Sequence, residues 1–174
     1  MKRILVIGTS GSGKSTLAQQ IAQRLGLPYV PTDPFYWEPD WKVASPGRVA
    51  ALLSIALAEP AWVLDGNFDD RREQVWPLAE CIVWLDLSWS ITIGRVIARN
   101  LGWAWTRQPI WSGNRMTWRR ALSGVRHAVR SHGLKRRQYP GYLAELGGPQ
   151  ILHFTRSRDV QDWLEALIRP AEPG

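Results

Sequence analysis

The sequence is poor in cysteine, in long apolar runs and, over one third of its length, in acidic residues. Cys81 is the only cysteine among 174 residues, which excludes an intrachain disulfide and a metal site built from clustered cysteines. Its apolar neighbours predict a small buried side chain rather than a nucleophile. No apolar run approaches the roughly 18 to 20 residues of a membrane span. We therefore expect a cytoplasmic protein without a membrane partner.

Acidic residues are missing between Asp86 and Glu145, although that interval holds 11 of the 22 lysines and arginines. The formal net charge is +7. A positive field of this kind indicates an anionic partner. The phosphates of a small ligand and the backbone of a nucleic acid both fit, and composition does not decide between them.

The chain shows no internal repeat, low-complexity tract or linker, and its length suits one domain, 1–174. Short apolar segments alternate with helical patterns, which predicts an α/β fold with a parallel sheet covered on both faces. The predicted strands are 2–7, 29–30, 61–64, 82–85 and 150–154. The predicted helices are 14–25, 46–58, 90–101, 116–146 with interruptions near Gly133 and Pro140, and 157–168 capped by Ser157. Residues 102–114 are predicted to form a loop.

The stretch from Gly8 to Thr16 fills every fixed position of the phosphate-binding loop G-x-x-x-x-G-K-[ST]. An apolar strand precedes it and an amphipathic helix follows, as this motif requires. Backbone N–H groups of such a loop surround a polyanion at the positive end of a helix. Lys14 is expected to reach the β- and γ-phosphates, and Ser15 to ligate Mg²⁺. The predicted nucleotide-binding residues of this stretch are Gly8, Ser10, Gly11, Ser12, Gly13, Lys14, Ser15 and Thr16.

Three aspartates follow predicted strands, at the sheet edge where ligands of parallel sheets bind. Asp65 is predicted to hold Mg²⁺ or its waters, the alternative being a turn carboxylate at Asp65-Gly66-Asn67. Asp33 either accepts a proton from an attacking hydroxyl, orients the acceptor, or caps a loop. Asp86 is predicted to cap the helix that begins near Trp89.

Arg95 and Arg99 lie four residues apart on a predicted helix and therefore on one face. Arginines in that position stabilise the charge that phosphoryl transfer spreads over oxygen atoms. Most of the later basic residues are interpreted as solvated surface charges, among them Arg126, Arg130, Lys135, Arg136 and Arg137.

Read in order, these motifs resemble the adenylate-kinase-like branch of the P-loop NTPases. The resemblance is greatest to small bacterial proteins described as adenylate-kinase-like ATPases or DNA topology modulation (FlaR-type) proteins. It rests on ILVIGTSGSGKSTLA, TDPFYW, VLDGNF, CIVWLDLSWSITIGRVIAR, GNRMTWRRAL and HFTRSRDVQDWL. It implies a three-layer fold with a five-stranded parallel sheet in the order 2-3-1-4-5. An acceptor-binding segment at about 31–60 and an arginine-rich lid at about 102–116 are also implied.

The resemblance further implies ATP and Mg²⁺ as cofactors, a monomer, and roles for particular residues. Arg95 would lie against adenine and Arg99 on phosphate. Arg115 and Arg119 would be catalytic lid arginines, beside Lys14, Asp33 and Arg99. Arg156 would begin the stretch that holds the adenine edge.

The chain departs from nucleotide kinases where these continue D-G-F-P-R after strand three, because Asn67 and Phe68 follow Gly66 here. Asp33 instead is similar to the aspartate that shikimate kinase places after strand two. We therefore predict transfer of the ATP γ-phosphoryl group to a nucleotide, nucleoside or small metabolite. The alternative is an ATP-binding, nucleic-acid-associated regulator without small-molecule kinase activity.

Overall fold

A five-stranded parallel sheet forms the centre of the fold, seen in a computed structural model that describes residues 1–167. The strands lie in the order β2-β3-β1-β4-β7. This confirms the predicted α/β fold of the P-loop NTPase type and its strand order, the fifth predicted strand being β7. The strand bounds are β1 Arg3–Gly8, β2 Tyr29–Pro31, β3 Trp62–Asp65, β4 Cys81–Leu85 and β7 Gln150–Phe154. A separate antiparallel hairpin pairs β5, Pro109–Ile110, with β6, Asn114–Arg115.

Seven α-helices are present in the described residues. None is both long and apolar enough to cross a membrane. Their bounds are α1 Lys14–Leu25, α2 Asp33–Tyr36, α3 Pro46–Ala58, α4 Arg72–Val75, α5 Trp89–Thr106, α6 Trp118–Ala144 and α7 Ser157–Ala166.

The sheet buries apolar side chains on both faces, because successive side chains of each strand point to opposite faces and nearly all of them are apolar. In β1, Leu5 and Ile7 point to one face, and Ile4 and Val6 to the other. The first face packs against α3, α6 and the turn at Trp76, and the second against α1 and α7. The carboxyl ends of β1, β2 and β3 are thereby held side by side, which fixes the positions of the residues that follow each strand.

Two predicted helix boundaries are confirmed. Helix α1 ends at Gly26, whose φ of 65° is the left-handed conformation that favours glycine. Helix α3 begins after Ser45, whose hydroxyl accepts a hydrogen bond from the Arg48 amide.

Helix α5 is longer than predicted and continues to Thr106, so the predicted loop over 102–114 was wrong at its start. Ala104 is buried against Met116 and Ala121, and this packing outweighs the roughly 1 kcal/mol that Gly102 costs a helix. The rest of the predicted loop contains the β5–β6 hairpin.

Helix α6 runs without a break from Trp118 to Ala144, so the predicted interruptions near Gly133 and Pro140 were wrong. A proline inside a helix costs about 3 kcal/mol or more, because it removes one hydrogen bond and crowds the preceding turn. Tyr139 and Leu143 are buried on either side of Pro140 and offset that cost.

Asp86 does not cap α5, contrary to prediction, because Ser88 precedes the helix. Its buried carboxylate instead joins two later elements. Oδ1 lies 3.4 Å from Nε of Arg136 on α6, and Oδ2 lies 3.2 Å from Nε2 of His153 on β7. Asp86 thus ties α6 to the edge strand of the sheet.

Ser157 is the first residue of α7 and does not cap it, since Arg156 occupies the preceding position without a side-chain cap. The prediction that Ser157 is the N-cap was therefore wrong. The predicted end of this helix, Ile168, lies outside the described residues.

Replacing Asp86 should test the link between α6 and β7. We expect Asp86→Ala to lower the free energy of unfolding by about 1–3 kcal/mol, because a buried carboxylate loses two partners. Urea denaturation measures this loss.

The matched control is Asp162→Ala, which removes an exposed ion pair to Arg158 at 3.9 Å. Such pairs contribute about 0–1 kcal/mol. Equal losses for the two variants would contradict a special role for Asp86.

Candidate active site

A cavity of about 540 Å³ opens at the carboxyl ends of the central strands, where ligands of parallel sheets bind. It brings most of the predicted site residues together, namely Ser10, Gly11, Gly13, Lys14, Ser15, Thr16, Asp33, Asp65, Arg95 and Arg99. Gly8 and Ser12 belong to the same loop but do not line this cavity. Arg115, Arg119 and Arg156 are exposed and also lie outside it.

The backbone of the phosphate loop leaves no room for side chains at its start. A Cβ on Gly8 would lie 2.6 Å from the carbonyl oxygen of Leu85 and 2.8 Å from Oγ of Ser12. Gly13, with φ of 96°, precedes α1, so the first amides of that helix are free of side-chain caps. Oγ1 of Thr9 and Oγ of Ser12 are buried without partners within residues 1–167. This polar, glycine-lined cradle fits a phosphate group.

The side chain of Lys14 is half-buried, and its ammonium group lies inside this loop. Its Nζ donates a hydrogen bond to the carbonyl oxygen of Thr9 at 3.0 Å. Burial, and next the charge of Lys135, lowers the pKa of Lys14 from its ordinary 10.5 to about 8, while Asp33 and Asp65 oppose the shift. Lys14 is thus a cation short of compensating charge, which a phosphate would supply.

Asp65 and Ser15 provide oxygen atoms suited to Mg²⁺. Asp65 accepts hydrogen bonds from the Tyr29 hydroxyl at 3.1 Å and from the Thr32 amide at 3.2 Å, so its carboxylate is fixed and each oxygen keeps a free lone pair. Within the described residues, no cluster of three His, Cys, Asp or Glu side chains could hold a metal by itself. One hydroxyl and one carboxylate suit an ion that keeps waters and takes further ligands from phosphates.

Asp33 is the first residue of α2 and faces both Lys14 and Arg99. Burial raises the pKa of its carboxyl above the ordinary value, and the charges of Lys14 and Arg99 oppose this shift while Asp65 adds to it. A raised pKa makes this carboxylate a better proton acceptor.

A second cavity, of about 380 Å³, lies on the other side of Asp33 and shares Lys14 with the first. It is enclosed by α2, the segment after β3 and α6. Its side chains are mostly polar and include Tyr36, Asn67, Asp69, Asp70, His127, Ser131 and Lys135. Asp33 and Lys14 therefore stand at the junction of two cavities.

Arg95 and Arg99 project from one face of α5, as predicted from their spacing. Nη1 of Arg95 donates to the Ser12 carbonyl at 3.4 Å, and Nη2 contacts Oγ of Ser157 at 3.5 Å. A shallower cavity of about 230 Å³ adjoins Arg95 between Gly13 and Ser157. The Arg99 guanidinium lies 4.8 Å from the ring centroid of Trp103, and its burial lowers its pKa.

The β5–β6 hairpin is fastened to the segment that follows α2. The buried side chain of Asn114 accepts from the Trp41 amide and donates to the carbonyl oxygen of Glu38, each at 2.8 Å. Edge-to-face contacts join Trp41 to Trp111 and Trp111 to Trp103. The β5–β6 hairpin and the segment after α2 thus form one connected wall, of which Trp103 and Trp111 line the first cavity.

Sequence reasoning overlooked several residues of these cavities. Lys135 was interpreted as a surface charge, yet it is largely buried, with its Nζ 2.9 Å from Oδ2 of Asp69. Asn67 was treated as part of a turn, yet its Oδ1 accepts from the Gly8 amide at 2.8 Å. Tyr29 was assigned only to a strand. For Lys135 the sequence did hold a signal: His127, Ser131 and Lys135 recur at four-residue spacing, which places them on one face of α6.

Comparison with known proteins gives a match to one family model and similarity to many solved structures. The profile of the ATPase family associated with various cellular activities (AAA) matches residues 4–86, which is less than half of the chain. No curated protein sequence matches the chain significantly. The fold is similar to that of a gluconokinase from Sinorhizobium meliloti 1021, with a TM-score of 0.55 and 18% identity over 96% of this chain and 89% of that one. The fold is therefore that of a P-loop NTPase, of a type that a kinase also adopts.

The lowered pKa of Lys14 predicts a pH dependence of nucleotide binding. Below pH 8 Lys14 carries the charge that attracts phosphate, and it loses that charge as the pH rises through about 8. We expect the ATP affinity to fall above pH 8 when titrated by calorimetry. Lys135→Met should move this fall to higher pH, because it removes a repelling charge. An affinity independent of pH between 7 and 10 would contradict this account.

Asn114→Ala should detach the β5–β6 hairpin from the segment after α2. The loss of its hydrogen bonds removes about 1–3 kcal/mol of local stability. We therefore expect amide hydrogen exchange in 37–43 and 109–115 to accelerate about 10-fold or more. Ser123→Ala, at an exposed position of α6, serves as control. Equal exchange in both variants would show that Asn114 does not fasten the β5–β6 hairpin.

Proposed function

We propose that this protein is an ATP-dependent phosphotransferase that moves the γ-phosphoryl group of ATP to a small acceptor. The observation that carries the proposal is the junction of the two cavities: Lys14 and Asp33 line both of them, and Arg99 lines the first. A phosphate-binding loop alone would suit any nucleotide-hydrolysing protein. A second polar cavity, which shares the Asp33 carboxylate with the first, provides a place for an acceptor.

The donor nucleotide would occupy the first cavity. The loop amides and Lys14 would hold the β- and γ-phosphates, and Arg99 would neutralise the charge that develops during transfer. Arg95, with the stretch that begins at Arg156, would enclose the base in the shallow cavity near Ser157. The resemblance to adenylate-kinase-like proteins supports adenine there.

Ser15 and Asp65 would hold Mg²⁺, which when bound to ATP offsets phosphate charge and orients the phosphates. Tyr29 and Thr32 keep the Asp65 carboxylate in place through their hydrogen bonds. Asp65 would therefore be oriented before the ion binds, and the remaining ligands of Mg²⁺ would come from water and the phosphates.

The acceptor would occupy the second cavity with a hydroxyl group towards Asp33. As the new oxygen–phosphorus bond forms and the bond to ADP breaks, the Asp33 carboxylate would take the proton of that hydroxyl. The polar lining of this cavity suits a small molecule with several hydroxyl groups. The gluconokinase of similar fold is, by its name, a kinase, which supports phosphorylation of a small metabolite.

The lid arginine Arg115 would enter the site only on closure, since it is exposed in this conformation. Arg119 lies on α6 beyond the lid, on the flank that faces away from the cavities, so we do not assign it a role in closure. Lids of kinases exclude water and complete the charge around the transferred group when they close. The shared wall of lid and acceptor-binding segment would make acceptor binding the trigger for that movement.

Two variants separate the donor and acceptor halves of the site. Lys14→Ala should abolish ATP turnover, because the β- and γ-phosphates lose their buried cation. Asp33→Asn should lower kcat by about 10²–10⁴-fold while ATP affinity is unchanged or tighter, because the amide cannot accept the proton and no longer opposes phosphate.

ATP consumption should be measured against nucleoside monophosphates, nucleosides and small polyols, with calorimetry of ATP binding beside it. Full turnover by Lys14→Ala would remove the proposed mechanism. Unchanged kcat in Asp33→Asn would remove only its acceptor half.

A further inference from the structure

Helix α5 carries no charged side chain on the side that faces away from the cavities. Arg95 and Arg99 point to the site, and Val96, Asn100 and Ala104 are buried. Four-residue spacing then places Ile97, Leu101 and Trp105 along the opposite, outer side. These three are 39%, 41% and 80% exposed.

Helix α6 carries a matching row. Trp118, Leu122 and Val129 are 50%, 62% and 42% exposed. The site-facing residues of α6, His127, Ser131 and Lys135, lie on its other flank.

The packing of α5 on α6 brings the two rows together. The Asn100 side chain donates to the Ala121 carbonyl at 3.2 Å, and Val96 packs against Ala128, which fixes an antiparallel register. In that register Leu101 is level with Leu122. We call the combined surface the outer apolar face: Ile97, Leu101, Trp105, Trp118, Leu122 and Val129.

Arginines border this face along α6. Arg119, Arg126, Arg130 and Arg137 are all exposed and recur at seven- and four-residue intervals, on one flank of the helix. No acidic residue occurs between 87 and 144 to neutralise them. An exposed apolar surface bordered along one side by charge of one sign indicates a partner that is apolar and anionic at once.

Two other occupants fit less well. A second copy would present the same acid-free segment, so a symmetric contact would bring arginine against arginine. A nucleic acid backbone would meet the arginines but would leave the exposed aliphatic side chains without a partner.

We propose that the outer apolar face docks this protein on an anionic lipid surface. Tryptophan and aliphatic side chains enter the boundary between headgroups and acyl chains, and the arginines pair with anionic headgroups. Trp105 and Trp118 lie at the lid end of the face, which is where the protein inserts most deeply. The cavities stay open to solvent, because Arg95 and Arg99 lie on the opposite side of α5.

This inference does not depend on the proposed function, and it revises the expectation of no membrane partner. That expectation rested on the absence of a spanning segment. A surface that lies in the membrane plane needs no such segment, only an apolar side with a cationic border.

Vesicle co-sedimentation of the full chain tests the proposal. The probes are vesicles of phosphatidylcholine alone and vesicles with about a third of phosphatidylglycerol. We expect binding to the anionic vesicles only. Leu122→Ser should weaken it about 10-fold through lost apolar contact. Arg126→Gln with Arg130→Gln should weaken it about 25-fold, taking about fivefold for each cation at an anionic surface.

The matched control is Ile55→Ser, since Ile55 is 67% exposed on α3, outside the outer apolar face. It should bind vesicles like the wild type, and circular dichroism should show each variant folded. Absence of binding to anionic vesicles at low salt would overturn the proposal. So would equal losses for Leu122→Ser and Ile55→Ser, dimerisation that buries the face, or tight salt-dependent DNA binding in place of vesicle binding.

Discussion

Burial of the Lys14 ammonium is the constraint on which the rest of the site depends. A cation removed from water is costly unless carbonyls, carboxylates or an anionic ligand surround it. The Thr9 carbonyl and the nearby Asp33 and Asp65 compensate it only in part, since its pKa remains well below the ordinary value. The loop is therefore suited to a phosphate group, and the carboxylates that moderate the charge of Lys14 are the ones to which we assign proton acceptance and Mg²⁺ binding.

The sequence predicted the parallel sheet and the phosphate loop, because these depend on local patterns: apolar runs, helical spacing and a motif with fixed positions. The strand order was predicted only through the resemblance to adenylate-kinase-like P-loop NTPases. It failed where long-range packing decided the outcome. Gly102, Gly133 and Pro140 look like helix breakers, yet each lies inside a helix whose buried neighbours outweigh the local cost. Similarly, nothing adjacent to Asp86 in the chain indicates Arg136 and His153 as its partners.

The candidate site, too, has one part that local patterns predicted and one part that depends on long-range packing. The donor half follows from the motif and from spacing on α5. The acceptor half is assembled from three distant segments, so the burial of Lys135 against Asp69 and the link from Asn114 to Trp41 become visible only in three dimensions. The sequence also does not show which side of a helix is covered by the rest of the fold. Leu122 and Leu143 lie on the same helix, yet Leu122 is exposed and Leu143 is buried.

Asn67 connects the two halves of the site at a single hydrogen bond. Its side chain accepts a hydrogen bond from the amide of Gly8 at the base of the phosphate loop, and the same residue lines the second cavity. Its carbonyl also accepts the indole N–H of Trp76, so its backbone is anchored and only the side chain is free to adjust. On the proposed function, an acceptor that forms a hydrogen bond with the Asn67 amide would alter the phosphate loop, so ATP and acceptor would bind interdependently, with a preferred order of addition.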